Sequence, residues 1–386
     1  YYDELNRLLT ETTITNLNTL ARVNDYRYDA VGNRTNTLYD DILGGSTNAF
    51  SDGFDAHDRF QAGGGFGYDA AGNTTQVYDE NGDLAFTDEY NYENKLIRRR
   101  DTNNVVLLEL EYDGDGRRLA KTVYPTPATW VRTQYLVDDR NPTGYAQVLE
   151  EHTQNSGGSP ALSTVYSYGL DQIGQQTADG GGQWITRYHG YDGHGNVRHL
   201  TDQSGFVTDT YTYDAYGNLI DQTDSGAGAS YNVYLYAGEQ FDPDLGLYYL
   251  RARYYAPSLG RFWSMDSYEG GNSNPITLHK FLYAHATPLN GWDPTGESFL
   301  GNIGAAFISV SLRAMSIAPR LVPIVIRVAP FVGSGGMFFV RYGRQALQSL
   351  ASLGPRGTTF MQNLMLRSRT YITEAQALRA PNWSSY

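Results

Sequence analysis

The chain has 386 residues, among them 32 tyrosines and 42 glycines, and a formal net charge of −13 at pH 7. This aromatic content disfavours a disordered chain, because disordered segments contain few aromatic side chains. The absence of cysteine excludes disulfides and zinc sites built on cysteine ligands. Aromatic-rich strands separated by glycine turns are typical of a mainly β protein.

A Tyr-Asp dipeptide, followed in most copies by glycine or asparagine, recurs through residues 1–235. Copies of this pattern include Tyr2-Asp3, Tyr28-Asp29, Tyr68-Asp69, Tyr78-Asp79, Tyr112-Asp113, Tyr191-Asp192 and Tyr213-Asp214, and we interpret Tyr92-Glu93-Asn94 as a degenerate copy. Several spacings are similar, such as those from Tyr92 to Tyr112 and from Tyr191 to Tyr213. Such a recurrence, with a period of roughly 20 residues, predicts a repeated supersecondary unit. Because Tyr2-Asp3 already belongs to the pattern, we expect the sequence to begin inside a longer protein.

Each copy predicts a β-hairpin. Tyrosine alternates with polar residues before the dipeptide, as in Thr208–Tyr213, which is the period of a half-buried strand. The aspartate can bond backbone amides two residues further on, and glycine accepts a positive φ, so the chain can reverse tightly. One hairpin cannot bury its apolar face alone, whereas stacked hairpins can. Residues 1–235 therefore predict a stack of hairpins.

Two further segments differ from the repeats. Residues 236–296 contain denser aromatic strands followed by prolines, and residues 297–386 are basic and partly apolar. Residues 301–386 hold nine arginines, no lysine and one acid, which gives +8 and leaves −21 for residues 1–300. Such asymmetry predicts two different roles.

The apolar part of the last segment, residues 299–340, does not predict a plain membrane span. Arginine recurs there every seven residues, near one face of a helix, and three prolines interrupt any continuous helix. The residues concerned are Arg313, Arg320 and Arg327, with Pro319, Pro323 and Pro330. We expect short amphipathic helices, and the last segment to be a short α-helical region.

The ordered motifs of residues 1–300 resemble the RHS/YD-repeat family with its RHS-repeat-associated core. The motifs are Tyr236-Ala237-Gly238-Glu239-Gln240, Gly246-Leu247-Tyr248-Tyr249, Arg253-Tyr254-Tyr255, Gly260-Arg261-Phe262-Trp263-Ser264-Met265-Asp266 and Trp292-Asp293-Pro294-Thr295-Gly296. The family includes polymorphic toxins and the C components of insecticidal toxin complexes. The resemblance implies hairpins in a spiralling sheet that forms part of a hollow shell. It also implies a core at residues 236–296 that plugs the shell, an enclosed C-terminal polypeptide, and a secreted or cell-surface location.

The resemblance also implies an aspartyl autoprotease that cuts after the Asp-Pro-x-Gly motif. By motif position, the catalytic residues are Arg253, Asp266 and Asp293, and the cut is expected near Glu297, Ser298, Phe299 and Leu300. One carboxylate would activate water, its protonated partner would polarise the scissile carbonyl, and the arginine would orient a carboxylate or stabilise the oxyanion. No cofactor or metal is expected.

Two departures and a simpler interpretation stand beside this assignment. Ala256 replaces an aspartate that is usual in the family, and Met265 replaces a proline. Asp293 to Gly296 also fits an ordinary type I turn, Asp266 could cap a turn, and Arg253 could be a surface charge.

Two functions follow as hypotheses. In the first, the shell encloses its own C-terminal segment as cargo and releases it by self-cleavage, and upstream domains belong to the full-length protein. The released segment could be a toxin, a membrane-inserting peptide or a truncated remnant, with a membrane or nucleic acid as its target. In the second, the chain is a non-enzymatic adhesion or carbohydrate-binding protein whose tyrosines stack on sugars at a cell surface.

Overall fold

The computed structural model describes residues 1–301 except 15–19, 42–45, 52, 62–64, 80, 142, 170, 225–231, 272 and 298–299. Contacts divide the chain into two compact units, Tyr1–Ala306 and Phe307–Tyr386. The second unit, and with it the predicted C-terminal helices, lies outside the described residues. Among the described residues, none of the helices has the length and apolar character needed to cross a membrane.

The described residues form a mainly β fold, as predicted. Two antiparallel sheets hold the repeats, and in both every strand pairs with its neighbour in sequence. The first sheet contains β1 Thr10–Ile14, β2 Leu20–Tyr28, β3 Arg34–Asp41 and β4 Ser46–Ser51. The second, with fourteen strands, contains β5 Phe66–Tyr68, β6 Thr74–Tyr78, β7 Leu84–Tyr90, β8 Leu96–Asp101, β9 Val106–Tyr112, β10 Arg118–Thr126, β11 Thr129–Asp138, β12 Gln147–Asn155, β13 Ala161–Tyr168, β14 Gln172–Ala178, β15 Trp184–Tyr191, β16 Val197–Thr201, β17 Val207–Tyr213 and β18 Leu219–Asp224.

Two small sheets follow the repeats. The third contains β19 Gln240–Asp242, β20 Leu247–Leu250, β21 Arg253–Ala256 and β22 Arg261–Phe262. The fourth pairs β23 Gly291–Trp292 with β24 Leu300–Gly301. Short 3₁₀ turns lie at Tyr236–Gly238, Pro275–Leu278 and Ala284–Ala286. Residues 236–296, which contain the third sheet and these turns, are called the core below. The two sheets of repeats are called the shell.

The Tyr-Asp dipeptide has two separate structural tasks. In the turn after β5, Asp69 Oδ1 accepts the amides of Ala71 and Asn73, both at 2.9 Å. Gly72 takes the positive φ of 77° that this turn requires. The tyrosine of a repeat instead donates its hydroxyl to a backbone carbonyl further back in the chain, as Tyr112 does to Leu96 at 2.8 Å. Aspartate therefore closes its own hairpin, while tyrosine ties that hairpin to the preceding one.

The assignment of Tyr92-Glu93-Asn94 as a repeat was wrong by two positions. Asn91 Oδ1 accepts the amides of Glu93 and Lys95, so Asn91 occupies the place of the repeat aspartate. Asn94 takes the place of the glycine with a φ of 59°. Asparagine can replace either residue, because its side chain accepts the same bonds and it tolerates the left-handed region. Tyr68, Tyr90 and Tyr112 are then evenly spaced along the chain.

Aromatic residues of the shell and of the core share the same apolar clusters. One cluster joins Val197, Leu200 and Tyr213 of the shell to Tyr248 and Phe262 of the core. A second cluster joins shell leucines to core aromatics, Leu96, Leu108 and Leu110 packing with Tyr254 and Trp263. The shell sheet therefore buries one face against the core rather than against a second layer of repeats.

The first sheet reaches the far end of the second. The hydroxyl of Tyr28, at the end of β2, lies 2.5 Å from the hydroxyl of Tyr216, which is in the turn after β17. The first sheet precedes β5 in sequence, yet β5 and β18 are opposite edges of the second sheet. The first sheet therefore contacts the last hairpin of the second sheet.

Candidate functional site

Arg253 begins β21 at the tight turn that follows β20. Leu250 pairs with Arg253, and Arg251 between them has a positive φ of 60°. The Arg253 guanidinium lies 3.6 Å from the ring centroid of Phe262, and only 8% of the residue is exposed. The interpretation of Arg253 as a surface charge was therefore wrong.

The structure brings Asp266 and Asp293 to this one guanidinium. Asp266 Oδ2 lies 2.8 Å from Arg253 Nη2, and Asp293 Oδ2 lies 3.8 Å from the same nitrogen. The exposed fractions of the two side chains are 17% for Asp266 and 5% for Asp293. One cation thus contacts two carboxylates, one of which is more open to water than the other.

The Asp-Pro-Thr-Gly turn is held against Arg253 by its backbone. Arg253 Nε donates to the carbonyl of Gly296, and the Ala252 amide donates to the carbonyl of Thr295 at 3.0 Å. A Cβ on Gly296 would lie 2.5 Å from the carbonyl oxygen of Leu250, and Gly296 has a φ of 72°. Only glycine fits that position, which explains the last residue of the motif.

Each acid also performs the simple structural task that the sequence allowed. Asp266 Oδ1 accepts the amide of Tyr268 at 2.8 Å, as a turn cap does. Asp293 Oδ1 accepts the Thr295 hydroxyl at 3.1 Å and the Glu297 amide at 3.2 Å. These bonds use one oxygen of each carboxylate, so the other oxygen of each can face Arg253.

The predicted cleavage region is only partly described. Glu297 is exposed, Ser298 and Phe299 lie outside the described residues, and Leu300 is described only by its backbone. Leu300 pairs with Trp292 in the fourth sheet, so the chain returns past the Asp293 turn. The described residues on either side of 298–299 therefore both lie near Asp293.

Sequence reasoning missed a second ion pair behind the turn. Arg251 Nη1 contacts Glu239 Oε2 at 2.9 Å and also donates to the carbonyl of Pro294. Burial raises the pKa of Glu239, and Arg251 opposes that rise. Glu239 belongs to one of the motifs that carry the family resemblance, but no local signal in the sequence pairs it with Arg251.

Burial lowers the pKa of Arg253, while Asp266, Asp293 and Glu297 oppose this shift. Arginine remains charged even so. Ala256, the departure from the family pattern, ends β21 and belongs to the apolar cluster of Tyr254 and Trp263. Among the described residues, no group of three or more His, Asp or Glu side chains is arranged to hold a metal ion.

The fold and this site define a β-repeat protein whose shell packs on an aromatic core that contains a buried cluster of charged side chains. Residues 191–229 match the family model described as RHS Repeat. The chain is 30% identical over 301 residues to the tRNA3(Ser)-specific nuclease WapA of Bacillus spizizenii, an alignment that covers 77% of this chain and 12% of that protein. It is 26% identical over 325 residues to Toxin protein Tse5 of Pseudomonas aeruginosa, covering 72% of this chain and 24% of that protein.

The crystal structure of TcdB2-TccC3-Cdc42 has a similar fold, with a TM-score of 0.60 at 20% identity over 77% of this chain and 15% of that one. The chain thus spans only a small part of the length of each of these relatives. It belongs to the RHS/YD-repeat proteins.

Proposed function

We propose that this chain is the C-terminal part of a secreted or cell-surface RHS/YD-repeat protein that cuts itself once. In this proposal residues 1–235 form the shell, residues 236–296 form the core, and residues 297–386 form an enclosed polypeptide that the cut releases. The cut falls after the Asp293-Pro294-Thr295-Gly296 turn, within residues 297–300 or at their boundaries. Upstream domains of the full-length protein complete the assembly.

One observation carries the proposal: a single buried guanidinium contacts both acids and the backbone of the motif. Arg253 lies 2.8 Å from Asp266 and 3.8 Å from Asp293, and it donates to the Gly296 carbonyl. A structural salt bridge needs one acid, whereas aspartyl hydrolysis needs two acids and a donor near the scissile carbonyl. The arrangement of Arg253, Asp266 and Asp293 supports the assignment of these three roles in the proposal.

The reaction is an ordinary hydrolysis. Asp266, the more exposed acid and the one at 2.8 Å from Arg253, is the ionised base that takes a proton from water. The water oxygen bonds to the scissile carbonyl carbon, while Asp293 donates its proton to the carbonyl oxygen. Arg253 stabilises the charge that develops there. The C–N bond then breaks as Asp266 passes its proton to the leaving nitrogen, Asp293 recovers a proton from the former carbonyl oxygen, and a new carboxyl group and a new amine result.

The released segment is the toxic part in this proposal. Relatives of the chain are named a tRNA nuclease and a toxin protein. The +8 charge of residues 301–386 suits an anionic target, either nucleic acid or a membrane surface.

The test is the mass of the purified chain and of its Asp293→Asn variant. Cleavage directly after Gly296 would give a C-terminal fragment that begins at Glu297, and cleavage after Leu300 one that begins at Gly301. We expect a fragment with a mass within these limits from the wild-type chain, and an intact Asp293→Asn chain with the same circular dichroism. Asp115→Asn is the matched control, because the Asp115 side chain is 76% exposed.

Two outcomes would contradict the proposal. Cleavage that persists in Asp293→Asn would remove this residue from the mechanism. A wild-type chain that stays intact would favour the non-enzymatic adhesion or carbohydrate-binding protein instead.

A further inference from the structure

Several turns of the shell have an arginine as their fifth residue, counted from the aspartate that opens the turn. In these turns the opening aspartate forms an ion pair with that arginine. Arg7, Arg59 and Arg117 are each bonded through Nε to the aspartate that opens the same turn, at 2.6, 2.8 and 2.7 Å. The cation therefore stays within its own hairpin. The turn between β7 and β8 differs from these turns, because its fifth residue is a cation but its first residue is not an acid.

The turn Asn91–Lys95 lacks that acid. Asn91 closes the turn with the same amide bonds, since Lys95 N donates to Asn91 Oδ1 at 2.9 Å, but it carries no charge. Lys95 Nζ instead donates to the carbonyls of Ala252 at 3.1 Å and Arg251 at 3.3 Å. A shell lysine thus reaches the core turn that presents Arg253, far away in the sequence.

Lys95 is also within electrostatic range of the first residue after the Asp-Pro-Thr-Gly turn. A small cleft is lined by Lys95, Arg253, Ser264 and Trp263. The Glu297 carboxylate acts electrostatically on both cations, and it is the acid with the larger effect on Lys95, ahead of Glu93. Lys95 and Arg253 therefore attract the same carboxylate beside the predicted cut.

We infer that Lys95 is a positioning residue of the self-cleavage site, holding the Arg251-Ala252 turn and drawing in the Glu297 carboxylate. The inference rests on the proposed self-cleavage. It makes the site depend on the shell, because the core alone lacks this ammonium. Cleavage is then faster in chains whose β7–β8 hairpin has docked on the core, so that release of the C-terminal segment is favoured after shell assembly.

The first experiment follows cutting in time, in the full chain made by cell-free translation. We expect Lys95→Met to slow cleavage about tenfold or more, because small displacements of reacting groups cause losses of this size. Lys95→Arg, which keeps the charge, should recover most of the rate at neutral pH.

Lys121→Met is the matched control. Lys121 also joins shell to core, through Asp242 at 2.8 Å and Asp244 at 2.7 Å, but it does not line the cleft at Arg253. We expect this variant to unfold at a lower temperature while its folded molecules cut at the wild-type rate. If wild type cuts and Lys95→Met cuts equally fast, the inference is wrong while the proposed function survives; if wild type does not cut, both fail.

A pH profile separates positioning from simple support. Burial lowers the pKa of Lys95, while Glu297 and Glu93 oppose the shift. The cleavage rate should therefore fall as the pH rises through this lowered pKa, and Lys95→Arg should remove that fall. Burial raises the pKa values of the three phenols lining the same cleft, Tyr90, Tyr112 and Tyr254, so none of them ionises in this range. The nearby cations Arg251 and Arg253 keep their charge. An unchanged profile in Lys95→Arg would contradict the inference.

A second readout does not need self-cleavage. In the full chain carrying Asp293→Asn, a glutamate-specific protease can cut after Glu297. Removing Lys95 should free this carboxylate, so adding Lys95→Met should speed that cut severalfold, whereas adding Lys121→Met should not at temperatures where the chain is folded. Equal rates in the two double variants would show that Lys95 does not hold Glu297.

Discussion

Two buried arginines, Arg118 and Arg253, contact aspartates of the core in clusters of different charge balance. Around Arg118, the buried acid Asp242 meets two cations, since Oδ2 lies 2.9 Å from Arg118 and Oδ1 lies 2.8 Å from Lys121, and Lys121 also contacts the more exposed Asp244 at 2.7 Å. Arg118 also donates to Gln240 and Tyr254. Both carboxylate oxygens of Asp242 are bonded to cations, and this acid is almost completely buried. It ties β10 of the shell to β19 of the core.

Around Arg253 the acids outnumber the cations, because one guanidinium meets the two acids Asp266 and Asp293. A second difference is access to water, since the Asp266 side chain is 17% exposed and that of Asp242 is 1% exposed. Surplus acid at an accessible position is suited to proton transfer, whereas a saturated, dry cluster is suited to holding two elements together. We therefore expect the same residue types to serve different tasks in the two clusters, according to stoichiometry and exposure.

The largest expected effect comes from exchanging each arginine for lysine. Arg253→Lys should lower the cleavage rate at least about 100-fold, because a lysine ammonium cannot reproduce the planar fork that contacts two acids and a carbonyl. The melting temperature should change little. The measurement is the fraction of cut chain over time. Arg118→Lys is the comparison variant: it should unfold at a lower temperature, while its folded molecules should cut at the wild-type rate. The opposite pattern would reverse the roles assigned to the two clusters.

The second effect is on stability. Asp242→Asn leaves Arg118 buried without its anion, while Lys121 keeps its contact with Asp244, and the change should cost about 3–5 kcal/mol. Asp266→Asn removes an acid from a site with a second one and should cost only about 1 kcal/mol. Denaturant unfolding of chains blocked by Asp293→Asn measures both without interference from cutting. Equal losses would show that the Arg253 cluster is as structural as the other.

A third buried acid, Glu11, should make the stability of the chain depend on pH. Glu11 Oε2 accepts the amide of Ala215 at 2.6 Å, and Oε1 accepts the Tyr26 hydroxyl at 2.8 Å, where the first sheet meets the turn after β17. Burial, with a smaller contribution from Asp214, raises the pKa of Glu11 to about 7. The folded chain therefore keeps a proton that the unfolded chain loses at lower pH.

For this acid the folded pKa lies above the unfolded value of about 4.5, so the free energy of unfolding should fall as the pH rises from about 4.5 to about 7. The fall should be on the order of 2 kcal/mol. Glu11→Gln should remove that part of the slope. Urea unfolding at pH 5 and pH 8 measures it, and the difference between the two chains cancels the other titrating groups. Parallel slopes would mean that Glu11 titrates normally.

The repeats could be predicted because their causes are local. Asp69 and Gly72 close a hairpin with bonds between residues at most four positions apart, so strand alternation and turn chemistry suffice. The degenerate copy was misplaced because Asn91 and Asn94 perform the tasks of aspartate and glycine without matching their letters. What Tyr112 does could not be read locally, since its hydroxyl bonds Leu96 in the preceding hairpin.

The site was predictable only through the family motifs. Asp266 and Asp293 lie far apart in the sequence, and each also satisfies a local turn, so periodicity gives no reason to unite them. Lys95 and Arg118 contact core residues that are still more distant along the chain. The only local trace of the Lys95 contact is a missing acid at Asn91, which has meaning only after the turn geometry is known.

The smallest expected effect compares two turn acids on opposite ends of β6. The Asp69 turn contacts the core segment that leads to Asp266: Thr74 Oγ1 donates to the Trp263 carbonyl at 2.7 Å, and the Met265 amide donates to Gly72 at 3.2 Å. The Asp79 turn makes the same two internal bonds, to Asn81 and Asp83, in exposed surroundings.

Asp69→Ala should cost about 1–2 kcal/mol, the range for loss of a side-chain cap, and should also slow cleavage severalfold because Asp266 follows Met265. Asp79→Ala should destabilise the chain less and leave the cleavage rate unchanged. Thermal unfolding and cutting rates of the two variants, measured side by side, test this difference. If both variants cut at the wild-type rate, then the Asp69 turn does not position Asp266, and the core alone fixes that acid beside Arg253.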